Sequence, residues 1–255
     1  MATSPDGRAA TRAHKLAQGR LAVRVVSEVL TVWQAVDPLR LAALDWSSPI
    51  LAALGRLRSE SRDLATTYYQ TLRRAEAPTG PRLPREAFAD EDDRWRERAL
   101  TSLRVTGTRA IARLVGAGLD PARALDQTGP GVAAASVRHT LAAGRSRVER
   151  ATAADPAARG WLRVTDGDPC WWCAMLASRG AVYLSRESAS TRGGTEAEYH
   201  DGCGCQPEPF FHAPVLPDTT REFGALWADS TQGLSGKDAR LAFRRAYEAR
   251  RANAS

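Results

Sequence analysis

At 255 residues, with 43% hydrophobic and 25% charged side chains, the chain has the make-up of a globular protein long enough to bury a core without covalent staples. The net charge of +7 is moderate, and 34 of the 36 basic residues are Arg, the exceptions being Lys15 and Lys237; with the heavy use of Ala, this points to a GC-rich genome more than to a surface selected for nucleic acid. No unbroken apolar stretch follows Met1 and no apolar run approaches the ~18 residues of a membrane span, so neither a secretory signal nor a membrane partner is expected, and synthesis in a reducing cytosol is.

Residues 12–36 carry Leu16, Val26, Val29, Trp33 and Val36 on a three-to-four spacing, which predicts a helix ending at Asp37-Pro38. Ser47-Ser48-Pro49 then offers Ser48 as an N-cap and Pro49 as the first helical residue. Behind it Ile50, Leu54, Leu57, Leu64, Tyr68 and Leu72 form the apolar stripe of a long amphipathic helix, with Arg56, Arg58, Glu60 and Arg62 mostly off it. Residues 76–93, rich in Pro and acids, predict a loop. A helix over about 91–115 follows, through Trp95, Leu100, Leu103, Ile111 and Leu114. Gly116 to Pro121 closes it and caps a short helix; Gly129-Pro130-Gly131 predicts a break before another helix through Val137, Leu141, Gly144 and Val148. Core packing is the plain reading of every one of these stripes.

The texture changes after the turn signal at 154–161. Residues 161–167 read as a short strand and turn, 180–185 as a second strand, 187–198 as a polar loop, and 205–211 as extended chain. A Pro-bearing linker leads to a last helix over 235–251, with Ser235 as its N-cap. The expected fold is mainly α: a helical N-terminal part (1–155), a small α+β zinc-knuckle-like module (156–212), and a linker with a C-terminal helix (213–255).

All four cysteines fall in that module, in the pattern C-x2-C-x26-H-x2-C-x-C formed by Cys170, Cys173, His200, Cys203 and Cys205. A C-x2-C knuckle lets two thiolates reach one ion from a tight turn, and a second pair from a distant segment completes the tetrahedron of structural zinc. Five donors compete for four places. Cys170, Cys173 and His200 are favoured, with Cys205 ahead of Cys203 as the fourth. Zinc is therefore the expected cofactor, contributing in small peptides ~10–16 kcal/mol of apparent folding energy. Disulfides, a redox pair and plain packing are the competing readings. Pro169 to Cys173 also matches the P-C-x-x-C half of the zinc deaminases, but His14 and His139 lack the Glu of an H-x-E partner. A thioredoxin-like site would put C-x-x-C at a helix start within a βαβ pattern, which the helical first half argues against. No G-x-S-x-G and no H-E-x-x-H occurs, so no protease nucleophile or base can be named; the expectation leans away from an enzyme, and no catalytic residue or small-molecule substrate is assigned.

Residues 160–183, GWLRVTDGDPCWWCAMLASRGAVY, followed by 199–211, YHDGCGCQPEPFF, resemble the C-terminal module of phage Mu protein F-like minor head proteins. The likeness is strongest to the actinobacteriophage branch often labelled capsid maturation protease. It is best over about 154–211 and extends more weakly to 48–69 and 231–251. It implies a minor protein of the virion head, made in the bacterial host cytoplasm, that meets the portal or major capsid protein during assembly and assists DNA packaging or ejection, with contact to packaged DNA as an accessory property. Proteolytic maturation of capsid or scaffold chains is the alternative that the label carries. Some relatives bear an appended toxin domain, for which this chain has no room.

Overall fold

The computed structural model describes residues 2–40, 45–89, 94–181 and 199–254. Three long helices form the frame: α1 (Pro5–Gln34), α2 (Ser47–Glu76) and α5 (Pro121–Ala154). The end of α2 meets the start of α1, where Glu76 accepts hydrogen bonds from Thr3 and Ser4, so these two are antiparallel. Trp33 near the end of α1 donates from its indole nitrogen to Leu125 O at the start of α5, at 3.0 Å. Asp155, which caps the far end of α5, accepts from Arg73 near the end of α2, at 2.6 Å. α5 therefore runs parallel to α2 and antiparallel to α1.

The apolar stripe expected on α2 is buried along Ile50, Leu54, Leu57, Tyr68 and Leu72. On α1 the buried line is His14, Gln18, Leu21, Val25, Val29 and Trp33, while Leu16 points outward and is 63% exposed. The apolar spacing alone misses this phase because two polar residues, His14 and Gln18, occupy core positions. Gln18 is satisfied there by a reciprocal pair: its amide donates to Ser61 O and accepts from Ser61 Oγ at 2.9 Å. Arg58 also departs from expectation. It is 3% exposed, donates to His139 O and lies over the Trp95 ring.

α5 buries 19 of its 34 residues and so behaves as a central helix covered on more than one side. The Gly129-Pro130-Gly131 break does not form. Pro130 and Asp126 are both exposed, so the carbonyl that Pro130 leaves without a helical partner meets water. Gly129 admits Leu30 and Trp33 of α1, which a Cβ would approach to 3.2 and 3.4 Å. The helix expected over 91–115 is instead two, α3 (Trp95–Thr106) and α4 (Thr108–Gly116), broken at Gly107. A Cβ there would lie 2.7 Å from the Trp33 ring, so glycine is what lets the indole in. The start of the expected helix, 91–93, lies outside the described residues. α2 begins at Ser47 with Trp46, not Ser48, in the N-cap position, and the carboxylate of Asp45 just before it accepts from Ser48 N and Ser47 Oγ.

After α5 come β1 (Gly160–Val164), α6 (Trp171–Ser178), β2 (Gln206–Phe210), α7 (Asp218–Ser230) and α8 (Gly236–Ala254). β1 and β2 are antiparallel with Gly160 opposite Phe210 and Val164 opposite Gln206. The strand expected at 180–185 and the loop at 187–198 lie almost wholly outside the described residues. The expected linker after 213 contains α7, which packs with α6 and α8 through Met175, Phe223, Phe243 and Tyr247. Trp171 and Trp172 lie at the edge of this cluster, partly buried.

The three long helices meet at Gly144, where a Cβ would stand 2.6 Å from Ser61 Oγ, 2.8 Å from Ser61 O and 2.9 Å from Gln18 Nε2. Alanine favours a helix over glycine by about 1 kcal/mol, but overpacking against backbone costs about 1–3 kcal/mol. Gly144→Ala should thus be net destabilising, read as a lower urea midpoint with an unchanged m-value.

Glu76 is the electrostatic hinge between α1 and α2. Burial opposes its ionisation, but the hydrogen bonds from Ser4 and Thr3 outweigh that and hold its carboxyl down at about 2. A depressed carboxyl contributes stability that is complete above its unfolded value of 4.5 and is lost as pH falls toward about 2. An acid titration followed by circular dichroism should show this loss, and Glu76→Gln should flatten that part of the curve.

Candidate metal centre

The β1–β2 register brings the donors together. Val164 ends β1 beside Gln206, which begins β2. The segment leaving β1 and the segment entering β2 therefore start at one end of the ribbon, and they carry Cys170/Cys173 and His200/Cys203/Cys205.

Cys170 is the N-cap of α6, in extended conformation, and its sulfur accepts from Cys173 N at 3.5 Å. The C-x-x-C does open a helix, as a redox motif would, but the adjoining strands are antiparallel neighbours with no βαβ crossover. The second segment turns back on itself: Cys203 N donates to His200 O at 3.1 Å, and Gly202 sits at φ +75. Gly204 passes so close to Asp166 that a Cβ would meet its Oδ2 at 2.3 Å, and Gly204 N donates to that oxygen at 3.1 Å.

The five side chains gather as two overlapping triads, Cys170–Cys173–His200 and Cys173–Cys203–Cys205, each with its donor atoms within 4.8 Å of one another. Cys173 belongs to both. His200 Nε2 is 2.9 Å from Cys170 Sγ and 3.3 Å from Cys173 Sγ, and Cys173 Sγ is 3.4 Å from Cys203 Sγ. His200 Nδ1 is 2.7 Å from Asp201 O. A carbonyl only accepts, so Nδ1 carries the proton and the Nε2 lone pair faces the sulfurs, the tautomer a metal ligand needs.

Three buried thiols this close cannot all ionise on their own. Cys203 is pulled far below the usual thiol range by hydrogen bonds from Cys173 and then Cys205; Cys173 is pushed far up, first because its proton is held on Cys203. A dication removes that conflict, since it rewards every thiolate that the cluster now suppresses. The donor set, soft sulfur with one imidazole, fits zinc.

Sequence reasoning missed the residues that seat this cluster. Arg145 of α5 is 1% exposed and donates to Cys205 O at 2.9 Å and to Cys203 O. Arg145 and Arg163 lie over the Tyr199 ring at 4.2 and 4.1 Å, and the Tyr199 hydroxyl donates to Glu149 at 3.2 Å. Arg145 lies in a helix with no local motif, so no spacing rule could have found it. Asp168 and Pro169, just ahead of the knuckle, also anchor α8, through Arg251 and the Tyr247 hydroxyl.

A Ser–His contact does exist away from this cluster. Ser102 Oγ lies 2.9 Å from His139 Nε2. The serine proton is donated to Arg98 O at 3.1 Å, and Arg138 donates to Oγ at 2.9 Å. Burial, then Arg138, Arg58 and Arg98, hold His139 down at about 3. A base that weak gives little drive for proton abstraction near neutral pH. His14 is stacked on Tyr68 at 4.3 Å and held down at about 4 by burial. His212 Nε2 is 2.6 Å from Glu76 O.

Protein purified without chelator should carry one zinc per chain by elemental analysis, with its thiols unreactive until a chelator is added. His200→Ala should lower metal retention and make Cys170 the first thiol to react.

The VG15 protein family model matches residues 5–222. The Gene 15 protein of Mycobacterium phage D29 is 29% identical over 210 residues, covering 71% of this chain and 72% of that protein. No solved structure matches. A family match that runs from the first turn of α1 into α7 takes in the whole helical frame and the Cys/His ribbon, and on it the chain belongs to the VG15 family of bacteriophage proteins.

Proposed function

We propose that this is a minor head protein of the phage virion, made in the host cytoplasm and built into the capsid beside the portal. The observation that carries the reading is the 154–211 block. It resembles the Mu protein F-like head module, it lies inside the family match, and its described residues form one ribbon and helix around the Cys/His cluster. In this reading residues 1–155 form the surface that meets portal or capsid protein, and 156–212 form a zinc-clamped module that keeps the chain's two ends in register. Residues 213–255 cover the aromatic face of α6. Zinc is structural: its thiolates and imidazole sit on backbone held by Arg145 and Asp201, and it supplies a cross-link between the start of α6 and the segment that enters β2. Contact with packaged DNA is an accessory property of the Arg-rich surface.

A maturation protease is the second reading. It has less support, because the Ser102 proton is already committed to Arg98 O and His139 is held neutral among three arginines.

Quantitative mass spectrometry of immature and mature particles separates the two. A few intact copies retained in mature heads agree with the minor structural role. Presence in immature particles only, beside a newly trimmed capsid chain, favours the protease. Cys170→Ser with Cys173→Ser should lower the melting temperature of the purified protein and block head assembly together; normal stability and normal particles from that double variant contradict the clamp.

A further inference from the structure

An open groove with a volume of about 690 Å³ lies at the end of the frame where α1 stops and α2 and α5 begin, and α3 and α4 supply one side of it. It is the opposite end from Glu76 and Asp155. The apolar part of its lining includes Leu39, Trp46, Ile111 and Val115. Leu39 is 80% exposed and Val115 38%, and Val105, next to Arg104, is 49% exposed. Exposed apolar side chains gathered in one place mark a surface that another molecule covers.

The charges around this groove are unbalanced. Between Glu97 and Asp120 the chain carries Arg98, Arg104, Arg109 and Arg113 and no acid. The acids that flank the lining are each committed to backbone. Asp37 accepts from Leu39 N at 2.9 Å, Asp45 from Ser48 N at 3.1 Å, and Asp120 from Ala122 N and Arg123 N at 3.0 and 3.1 Å. The lining hydroxyls are committed as well: Thr108 donates to Arg104 O and Ser47 to Asp45. Arg104 and Arg109 line the groove, and Arg113 stands one turn beyond Arg109 on the same face of α4. Among the described residues these three guanidinium groups form no ion pair, whereas Arg24, Arg56, Arg244 and Arg250 elsewhere on the surface each hold a carboxylate.

Open arginine forks beside exposed leucine and valine are complementary to carboxylates set among apolar side chains. We propose that this groove docks an acidic amphipathic segment of a partner protein, with its apolar side chains over Leu39, Ile111 and Val115 and its carboxylates on Arg104 and Arg109. The proposal rests on the reading that residues 1–155 meet another virion protein, and it names the kind of segment they meet. A DNA duplex would bring phosphates to the same arginines and leave the apolar floor uncovered.

The test uses the full chain and a fluorescently labelled peptide with Leu on a three-to-four spacing and Glu at the positions between, followed by anisotropy. Leu39→Ser should weaken binding about fivefold, and Arg104→Glu with Arg109→Glu about tenfold or more. All three side chains are exposed, so both variants should keep the parent's melting temperature. Arg240→Glu, on α8, should leave binding unchanged, and the charge-reversed variant should bind a peptide with Lys in place of Glu. Four results overturn the proposal: no binding of the Glu peptide, equal binding of a shuffled peptide of the same composition, binding unmoved by either groove variant, or a DNA duplex that displaces the peptide and loses affinity on charge reversal alone. Absence of the chain from phage particles would remove the head reading and leave this result standing; a chain present in particles but with an inert groove removes only the docking site.

Discussion

The structure turns on two adjacent residues of one helix. Gly144 of α5 has no side chain, and Ser61 of α2 and Gln18 of α1 press into the space. Arg145, the next residue, aims a buried guanidinium at the carbonyls of Cys203 and Cys205. A helix turns about 100° per residue, so neighbouring positions serve different faces. One face locks the three-helix frame, and the other holds the thiol segment on it. A guanidinium at 1% exposure is tolerable only when its charge is met by hydrogen bonds and a π-face, which the two carbonyls and Tyr199 supply. The cysteine segment is thus positioned by the helical frame before any metal is considered.

The ribbon then sets the rest of the centre. Its register decides that the chain leaves β1 and enters β2 at the same end, and two glycines let the returning segment fold tightly enough. Gly202 supplies the left-handed turn between His200 and Cys203, and Gly204 lets the backbone pass Asp166. His200 is oriented by the neighbouring backbone carbonyl, so the tautomer is set locally. Such an arrangement is a clamp, with sulfur and imidazole turned toward one another, and it agrees with the proposed structural role.

Much of this was legible in the chain itself. The α2 stripe from Ile50 to Leu72, the first strand, the extended run that becomes β2, the last helix and the five-donor pattern all follow from periodicity and spacing. The failures have physical causes. The phase of α1 was hidden because His14 and Gln18 stand in the core, one stacked and one hydrogen-bonded. Gly107 carries no break signal yet ends a helix against Trp33, while Gly129, inside a Gly-Pro-Gly signal, sits within a helix against the same ring. The position of that indole bears on both outcomes, and it comes from a residue more than seventy positions away. Arg58 reads as a surface cation and Arg145 carries no signal at all, because a burial partner made of backbone carbonyls and aromatic faces leaves no mark in local sequence.

The contacts at the two ends of the chain also bear on the order of assembly at the ribosome. Ala2 reaches Glu208, Lys15 reaches Thr165, and Glu76 meets His212. These pairings are separated by 206, 150 and 136 positions. Contacts so distant in sequence are slow to form, and synthesis proceeds at about 5–20 residues per second. The first helix therefore emerges many seconds before the strand that seats its beginning exists. During that interval its leading residues have no partner, and the chain stays open to chaperones until β2 arrives and closes it.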